Sequence, residues 1–521
     1  MKPIRRIKII NGKEYWYEDT PYYDQEKKQI RHRSKYLGKN VDGMPVKVRS
    51  EPEKLKQNKE LKPPKSFHYG NILPLTHIIN DLNIENILSE SLGEKEVQML
   101  ISLSINRILR PTAMRNLNIW FEGTSLALDY PELNLSGQRI SEFLEYIGRS
   151  DVELDFMSKF VKNMGTEKTL LYDITSFSSY SKYINLLEFG YNRDGKNLPQ
   201  LNLGLIVDKN ENIPIMYDIF PGSIVDVSTL KNTLKKLQAN GIEDYTAVMD
   251  RGFFSKTNIL ELLDENVSFI VPATLKLDIV KDLFDSAAKE IDDLDYLEKY
   301  NKQTFFVKPI VLNIDDQKLN GYFYYDPKRA QQEKETFWGR LYDIRESLKT
   351  KIPNSKREPT VVLKENAGRY SKYFTVEKVE DNFIISIVKD AAEERVQRMG
   401  RFILFYRGEF DCKTCLLMYR ERDLVEKSFR ELKNDLGGLP LNMQKDETTK
   451  GFIFVSYIAL ILRMKLMKMM TDTDLCDRYS IESLLMELEK ISKVRLSSGE
   501  IIVSEITKKE RNILKALELC A

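Results

Sequence analysis

The stretch 169-TLLYDITSF-177 marks the point where the chain changes from helical to strand periodicity. Over residues 74–164, apolar residues recur at helical spacing, whereas after residue 177 short apolar runs alternate with helical stretches. Strands that are followed by helices predict a mixed α/β sheet. Asp173 lies inside this apolar strand, where a carboxylate is costly to bury unless it is paired or binds a cation.

The predicted sheet continues on both sides of a long interruption. LPQLNLGLIVD and NIPIMYDIFPG form a hairpin, and the strands YTAVMD and VSFIVPA follow, each with a helix beside it. Residues 286–395 interrupt this core with strands and a charged helix at about 328–350, and RFILFYR then returns the chain to the core. An apolar helix follows over residues 447–471.

This pattern predicts an α/β multidomain protein in which a sheet flanked by helices is preceded by a helical module and a small N-terminal strand unit. The expected segments are 1–65 (basic strand unit and linker), 66–165 (module of four or five helices), 166–285 (core, first part), 286–395 (insertion), 396–475 (core, second part) and 476–521 (C-terminal helices).

Composition excludes several classes of protein. The 521 residues are 42% hydrophobic and 30% charged, which is typical of a soluble protein. No apolar run reaches the length of a membrane span, and the N-terminus has no apolar core of a signal peptide. Four cysteines are too few for a disulfide framework, and the isolated pair Cys412 and Cys415 reads as the start of a helix rather than a zinc site.

Charge is distributed unevenly along the chain. Residues 1–65 carry 18 Lys or Arg and 9 Asp or Glu, a net charge of +9, although the whole chain has only +2. A basic arm on a mildly acidic body predicts an anionic partner, most simply nucleic acid. For residues 54–65 a solvated linker is an equal alternative.

The three histidines, His32, His68 and His77, all lie near the N-terminus. Residues 78–521 therefore lack the histidine that a His-based zinc hydrolase or a Ser-His-Asp triad requires. Carboxylates are the alternative, and they favour Mg²⁺ or Mn²⁺.

A polar stripe lies on a predicted helix over 415-CLLMYRERDLVEKSFRELKNDL-436. Tyr419, Arg422, Glu426 and Lys433 are spaced by three, four and seven residues, so they return to one helix face. Such a stripe suits a site that holds both a metal ion and phosphates. A solvated helix rich in Arg, Glu and Lys is the alternative.

Asp250 adds a third carboxylate, because it ends the strand YTAVMD. If the two strands are neighbours, Asp173, Asp250 and Glu426 converge on one point. Three carboxylates can hold two divalent ions about 3.5–4 Å apart, and such a pair cleaves phosphodiesters. The alternative for each Asp alone is a cap of the following turn.

Taken together, these motifs resemble those of the insertion-sequence transposases that have an RNase H-like core and an Asp-Asp-Glu triad. Tyr419, Arg422, Glu426 and Lys433 fill the Tyr-x2-Arg-x3-Glu-x6-Lys motif of one group of this family, YDITSF resembles its first motif and VMDRGFFS its second. The resemblance covers about residues 70–470.

The resemblance implies a catalytic site of this family. Asp173, Asp250 and Glu426 would be catalytic and bind Mg²⁺ or Mn²⁺, as two ions. Among the residues implied to bind DNA, Arg422 and Lys433 would contact phosphates and Tyr419 would contact the DNA terminus. Arg251 would contact DNA or, as an alternative, form a salt bridge in the core.

The resemblance also implies function and partners. It implies cut-and-paste transposition at the inverted-repeat ends of the element, double-stranded end and target DNA as partners, a homodimer in the synaptic complex, and a prokaryotic cytoplasm. Two alternatives are an RNase H-like nuclease that does not join strands and a DNA-binding relic without activity.

Trp338 is the single tryptophan of the interruption. In some relatives an inserted strand domain holds a flipped base during a hairpin step, which would need a stacking aromatic. Because Trp338 lies on the predicted helix, we interpret it as a packing residue and expect Trp338→Ala mainly to lower stability.

Overall fold

A computed structural model of the chain shows a mixed α/β protein of several parts. It describes residues 2–24, 27–47, 63–164, 168–190, 197–224, 226–242, 244–300, 303–354, 357–379, 382–438 and 441–519. The chain forms two compact units, which are Met1–Ser66 with Val494–Ile502, and Phe67–Lys493 with Val503–Ala521. Most of the linker predicted before residue 65 lies outside the described residues.

The first unit contains the strands that the N-terminal sequence predicts. They form one antiparallel sheet in chain order, with β1 Ile4–Ile10, β2 Lys13–Asp24, β3 Gln29–Val41 and β4 Met44–Val46. Tyr15 and Tyr17 both contact the ring of Tyr36, and the Lys8 ammonium lies 4.7 Å from the centre of the Tyr17 ring. Aromatic and basic side chains therefore share one face of this sheet.

After the N-terminal sheet come a short strand, β5, and a helical region that has more helices than the four or five expected. Their bounds are β5 Lys65–His68, α1 Leu73–Asp81, α2 Ile84–Ser89, α3 Glu94–Leu109, α4 Leu117–Glu122, α5 Leu126–Asp129, α6 Gly137–Arg149 and α7 Val152–Asn163. The sequence did not predict α4 and α5, because each is too short to show a helical period.

Nine strands then form one mixed sheet. The strands are β6 Lys168–Ser178, β7 Gln200–Asp208, β8 Ile213–Pro221, β9 Tyr245–Met249, β10 Ser268–Pro272, β11 Leu297–Tyr300, β12 Gln303–Ile314, β13 Gln317–Tyr325 and β16 Arg401–Arg407, in the order β11-β12-β13-β16-β10-β9-β6-β7-β8. Strands β6, β9 and β10 are parallel, and every other neighbouring pair is antiparallel. Three helices accompany them, α8 Asp226–Ala239, α9 Lys256–Asp264 and α10 Asp278–Ala288.

The interruption differs from the expectation that the chain leaves the core at about residue 286. Strands β11 to β13 extend the large sheet, because β13 pairs with β16 along Asn320 to Tyr325. Only the segment after them surrounds a core of its own, which includes Phe337, Leu348 and Tyr373. The elements of this lobe are α11 Pro327–Lys351, α12 Pro359–Ala367, β14 Phe374–Val379, β15 Asn382–Ile387 and α13 Lys389–Gln397.

The last part of the chain contains five α-helices and two short strands among its described residues. They are α14 Cys412–Arg420, α15 Asp423–Arg430, α16 Asp446–Asp472, α17 Ile481–Leu488, β17 Ser492–Arg495, β18 Ile501–Val503 and α18 Lys508–Ala516. The sequence predicted α14 and α15 as one helix and predicted the later helices, but it predicted neither of the two short strands. No helix among the described residues is long and apolar enough to cross a membrane.

The apolar helix α16 is the centre of the second unit. It packs against α1, α3 and α6 on one side and against β8 on the other, and its Tyr457 ring lies 4.8 Å from that of Tyr217. Two glycines bring α6 and α16 together, because a Cβ at Gly148 would clash with the Glu447 carbonyl and one at Gly451 with the Leu144 carbonyl.

The packing role that the sequence analysis assigned to Trp338 is wrong. This residue lies on α11 as predicted, but 51% of it is exposed, whereas the preceding Phe337 is 6% exposed and contacts Tyr373 in the core of the lobe. The packing role that we assigned to the tryptophan belongs to its neighbour.

We therefore expect Phe337→Ala to lower the local stability of the lobe by about 3–5 kcal/mol, because it leaves a cavity. Trp338→Ala should change it by about 0.5 kcal/mol or less. Hydrogen exchange of peptides from the lobe in the full chain measures both values. Equal losses for the two variants would contradict this assignment.

Candidate active site

The register of two parallel strands brings the two aspartates together. Met249, the last residue of β9, pairs with Tyr172 of β6, and each of these residues is followed in the chain by an aspartate, Asp250 and Asp173. Neighbouring strands are about 4.8 Å apart, so the two side chains start from adjacent positions. Strand β6 and the residue directly after β9 therefore supply two of the three predicted carboxylates.

Helix α15 supplies the third carboxylate. It covers the sheet at β6 and β7, and its buried side is formed by Val425, Ser428 and Phe429. Glu426 follows Val425 and lies at the edge of this buried side, with 54% of its side chain exposed. The apolar spacing of the helix thus places the carboxylate at the boundary between core and solvent.

The Arg422 guanidinium contacts all three carboxylates. Its Nη1 lies 3.4 Å from Asp173 Oδ2 and 3.6 Å from Asp250 Oδ1, and its Nη2 lies 2.5 Å from Glu426 Oε1. The remaining oxygen of Asp173, Oδ1, accepts a hydrogen bond from the Ile174 amide. The structure therefore gathers the triad around one cation that belongs to the chain itself.

Exposure increases from the base of this site to its mouth. The side chains of Arg422 and Asp173 are 13% and 15% exposed, whereas that of Asp250 is 41% exposed. Burial alone would lower the pKa of Arg422, but Asp250, Asp173 and Glu426 together raise it above its ordinary value. The guanidinium thus remains charged and compensates part of the negative charge.

The other predicted DNA-contact residues surround this cluster at different distances. Tyr419 lies with its ring centre 5.9 Å from the Arg422 guanidinium, and burial raises its pKa. Arg251 is exposed, which removes the alternative of a salt bridge in the core. The Lys433 ammonium lies 5.6 Å from the centre of the Phe177 ring. Phe177 is four residues after Asp173 in β6, which corresponds to about 13 Å along the strand.

The prediction of one helix over residues 415–436 is wrong, because the segment is not a continuous helix. Helix α14 ends at Arg420, and the hydrogen bonds from Arg422 N to Tyr419 O and from Val425 N to Arg422 O close tighter turns of the 3₁₀ type. After α15 the chain widens into a π-helix, Glu431–Asp435. Lys433 lies in this segment, so its direction does not follow from α-helical spacing.

Comparisons with known proteins fit this geometry. The family model for the transposase DDE domain matches residues 158–462, which is more than half of the chain and includes all three carboxylates. The chain belongs to the DDE transposase family.

Two further comparisons add little to this membership. A search of curated proteins gave no match. Among solved structures, the cryo-EM structure of the piggyBac transposase synaptic complex with hairpin DNA resembles the chain over 82% of each chain, at 9% identity and a TM-score of 0.36. At this TM-score the likeness supports no conclusion about the fold or function of this chain.

The donor set fits a divalent cation in its chemistry. Three carboxylates from two strands and one helix face one point, and hard cations prefer such oxygen ligands. As arranged, however, no three His, Cys, Asp or Glu side chains of the described residues form a metal-binding group. The Arg422 guanidinium lies where the carboxylates converge.

A buried ion pair that the sequence analysis missed anchors this part of the DDE domain. Arg463 of α16 has a 4% exposed side chain and contacts Glu431, Glu482 and Asp435. Glu431 begins the π-helix that follows α15, so its contact with Arg463 fixes this segment to α16. A lone Arg in the apolar run FIFVSYIALILRMKLM was the available signal.

The two Glu partners of Arg463 offer a matched test, because the Glu431 side chain is 10% exposed and that of Glu482 is 55% exposed. We expect Glu431→Ala to lower the free energy of unfolding by about 3 kcal/mol, since the buried guanidinium would keep only partners at the surface. Glu482→Ala should cost about 1 kcal/mol or less. Urea unfolding of the full chain measures both, and similar costs would show that the pair is not the anchor.

Proposed function

We propose that the protein is a DNA transposase that cleaves and joins DNA at the inverted-repeat ends of its own insertion sequence, by cut-and-paste. One observation carries the proposal: Asp173, Asp250 and Glu426, from three separate motifs, converge on a single guanidinium. Membership of the DDE transposase family supports it. Convergence of this kind is not needed by a DNA-binding relic.

We further propose that the core is RNase H-like. In support, β6, β7 and β8 form an antiparallel meander, and β9 and β10 add beside β6 in parallel. The six-segment division of the chain that we expect from the sequence remains our proposal, with β11 to β13 of the interruption contributing to the large sheet.

In this proposal Asp173, Asp250 and Glu426 hold Mg²⁺ or Mn²⁺, as two ions. Divalent cations at such a site supply Lewis acidity, which activates a hydroxyl nucleophile and stabilises the leaving oxygen of a phosphodiester. Asp173 and Asp250 directly follow the paired residues Tyr172 and Met249, and this adjacency supports a shared role. The task of the protein is positioning and charge compensation, because phosphoryl transfer asks for little covalent chemistry from side chains.

The surrounding cations hold the DNA in this proposal. Arg422 and Lys433 contact phosphates, Arg251 contacts DNA from its exposed position after β9, and Tyr419 packs against the DNA terminus. The basic and aromatic face of the N-terminal sheet and the helical region bind the end sequence. Two chains pair two ends of double-stranded DNA in a homodimeric synaptic complex, which then engages the target DNA.

We expect Glu426→Gln to lower cleavage by about a thousandfold or more, because the loss of a metal ligand removes several kcal/mol of transition-state stabilisation. End binding should remain, since the phosphate contacts are intact. Asp423→Asn is the control, because Asp423 is an exposed acid on the same helix that contacts none of the triad. Both variants are compared with wild type in Mg²⁺ or Mn²⁺ by gel assays of cleavage and binding.

The deciding experiment places the gene with its native flanks on a plasmid and measures excision and reinsertion. Movement by wild type but not by Glu426→Gln would support the transposase, and the junctions would give the end sequences. A strand-transfer assay with pre-cleaved ends then separates it from a nuclease, which would cleave DNA without joining it. Wild-type cleavage by Glu426→Gln would remove this residue from the site.

A further inference from the structure

The arrangement of Arg422 has a consequence for metal binding. One oxygen of each triad carboxylate faces the Arg422 guanidinium. The second oxygen of Asp173 accepts a hydrogen bond from the Ile174 amide. A divalent cation that used these oxygens would meet the guanidinium at the same point. Two cations at contact distance repel each other, so Arg422 and a metal ion compete for the triad.

Arg422 lies in a position from which it can change partners. Its side chain extends from Asp173 at the base to Glu426 at the mouth, where exposure rises to 54%. The Tyr419 ring lies 5.9 Å from the guanidinium on the same motif. A phosphate that arrives at the mouth offers Arg422 two acceptor oxygens in the fork geometry that guanidinium groups prefer.

We propose that Arg422 is an internal counter-ion that makes metal binding by the triad conditional on DNA. Without DNA, the guanidinium contacts all three carboxylates, compensates part of their charge and excludes the metal. When a DNA phosphate draws Arg422 toward the mouth, the carboxylates are released to bind the cation. This inference rests on the proposed function of the same site.

The device couples the two ligands in both directions. A phosphate that removes Arg422 raises metal affinity, and by linkage a bound metal ion raises DNA affinity by the same factor. Couplings between sites are commonly about 5–150-fold. The transposase would thus carry no assembled metal centre until it is on DNA.

The test measures Mn²⁺ binding to the full chain without DNA. Binding is followed by the loss of the electron paramagnetic resonance signal of free Mn²⁺. Arg422→Gln should bind Mn²⁺ about tenfold more tightly than wild type or better, within the usual range of coupling. Arg420→Gln is the matched control, because Arg420 lies two residues away and contacts Asp326 and Gln303 rather than the triad. It should bind Mn²⁺ as wild type does.

A second arm adds a DNA duplex that contains the element's end. Wild type should gain Mn²⁺ affinity on the duplex by a similar factor, and Arg422→Gln should gain little because its triad is already open. Glu426→Gln with the same duplex measures the Mn²⁺ that the DNA itself binds. Circular dichroism of each variant verifies folding, and Arg422→Lys serves if Arg422→Gln does not fold, with a smaller gain because an ammonium contacts fewer carboxylates at once.

The outcomes separate the two proposals. Mn²⁺ affinity of Arg422→Gln equal to that of wild type without DNA, or of Arg422→Lys where it replaces that variant, would overturn the counter-ion inference and leave the transposase proposal standing. A gain that persists in the double variant Arg422→Gln with Glu426→Gln would show that the metal does not bind at the triad. That result would count against the proposed chemistry itself.

Discussion

The concentration of negative charge at one point is the constraint on which this structure depends. Two strands and one helix bring three carboxylates to one place, and such a group is stable only if a cation shares it. Arg422 is that cation, and its partners all come from different segments of the chain. The contacts of this one guanidinium therefore connect the core strands with the segment that carries Glu426 and also balance part of the charge of the site.

Different contacts hold the two aspartates and the segment that carries Arg422 and Glu426. Asp173 and Asp250 directly follow Tyr172 and Met249, the last residues that pair between β6 and β9. Arg422 lies in the tightened turns before α15 and Glu426 lies on α15, and the buried Arg463–Glu431 pair holds the π-helix that follows.

The lobe after β13 shows how a long interruption is accommodated. Strand β13 pairs with β16, so the chain leaves and re-enters the large sheet at adjacent strands. The lobe has its own core around Phe337 and Tyr373, and Trp338 and Tyr342 remain exposed on α11. The insertion thus adds a surface without disturbing the register that places the aspartates.

The sequence by itself determined the order of most elements, the three carboxylates and the polar motif, because periodicity and charge are local properties. It did not determine that β11 to β13 join the large sheet, since strand pairing depends on residues far apart in the chain. Nor did it determine that Arg422 contacts all three acids or that Trp338 is exposed. Those facts depend on which faces meet after folding, and only the tertiary structure decided them.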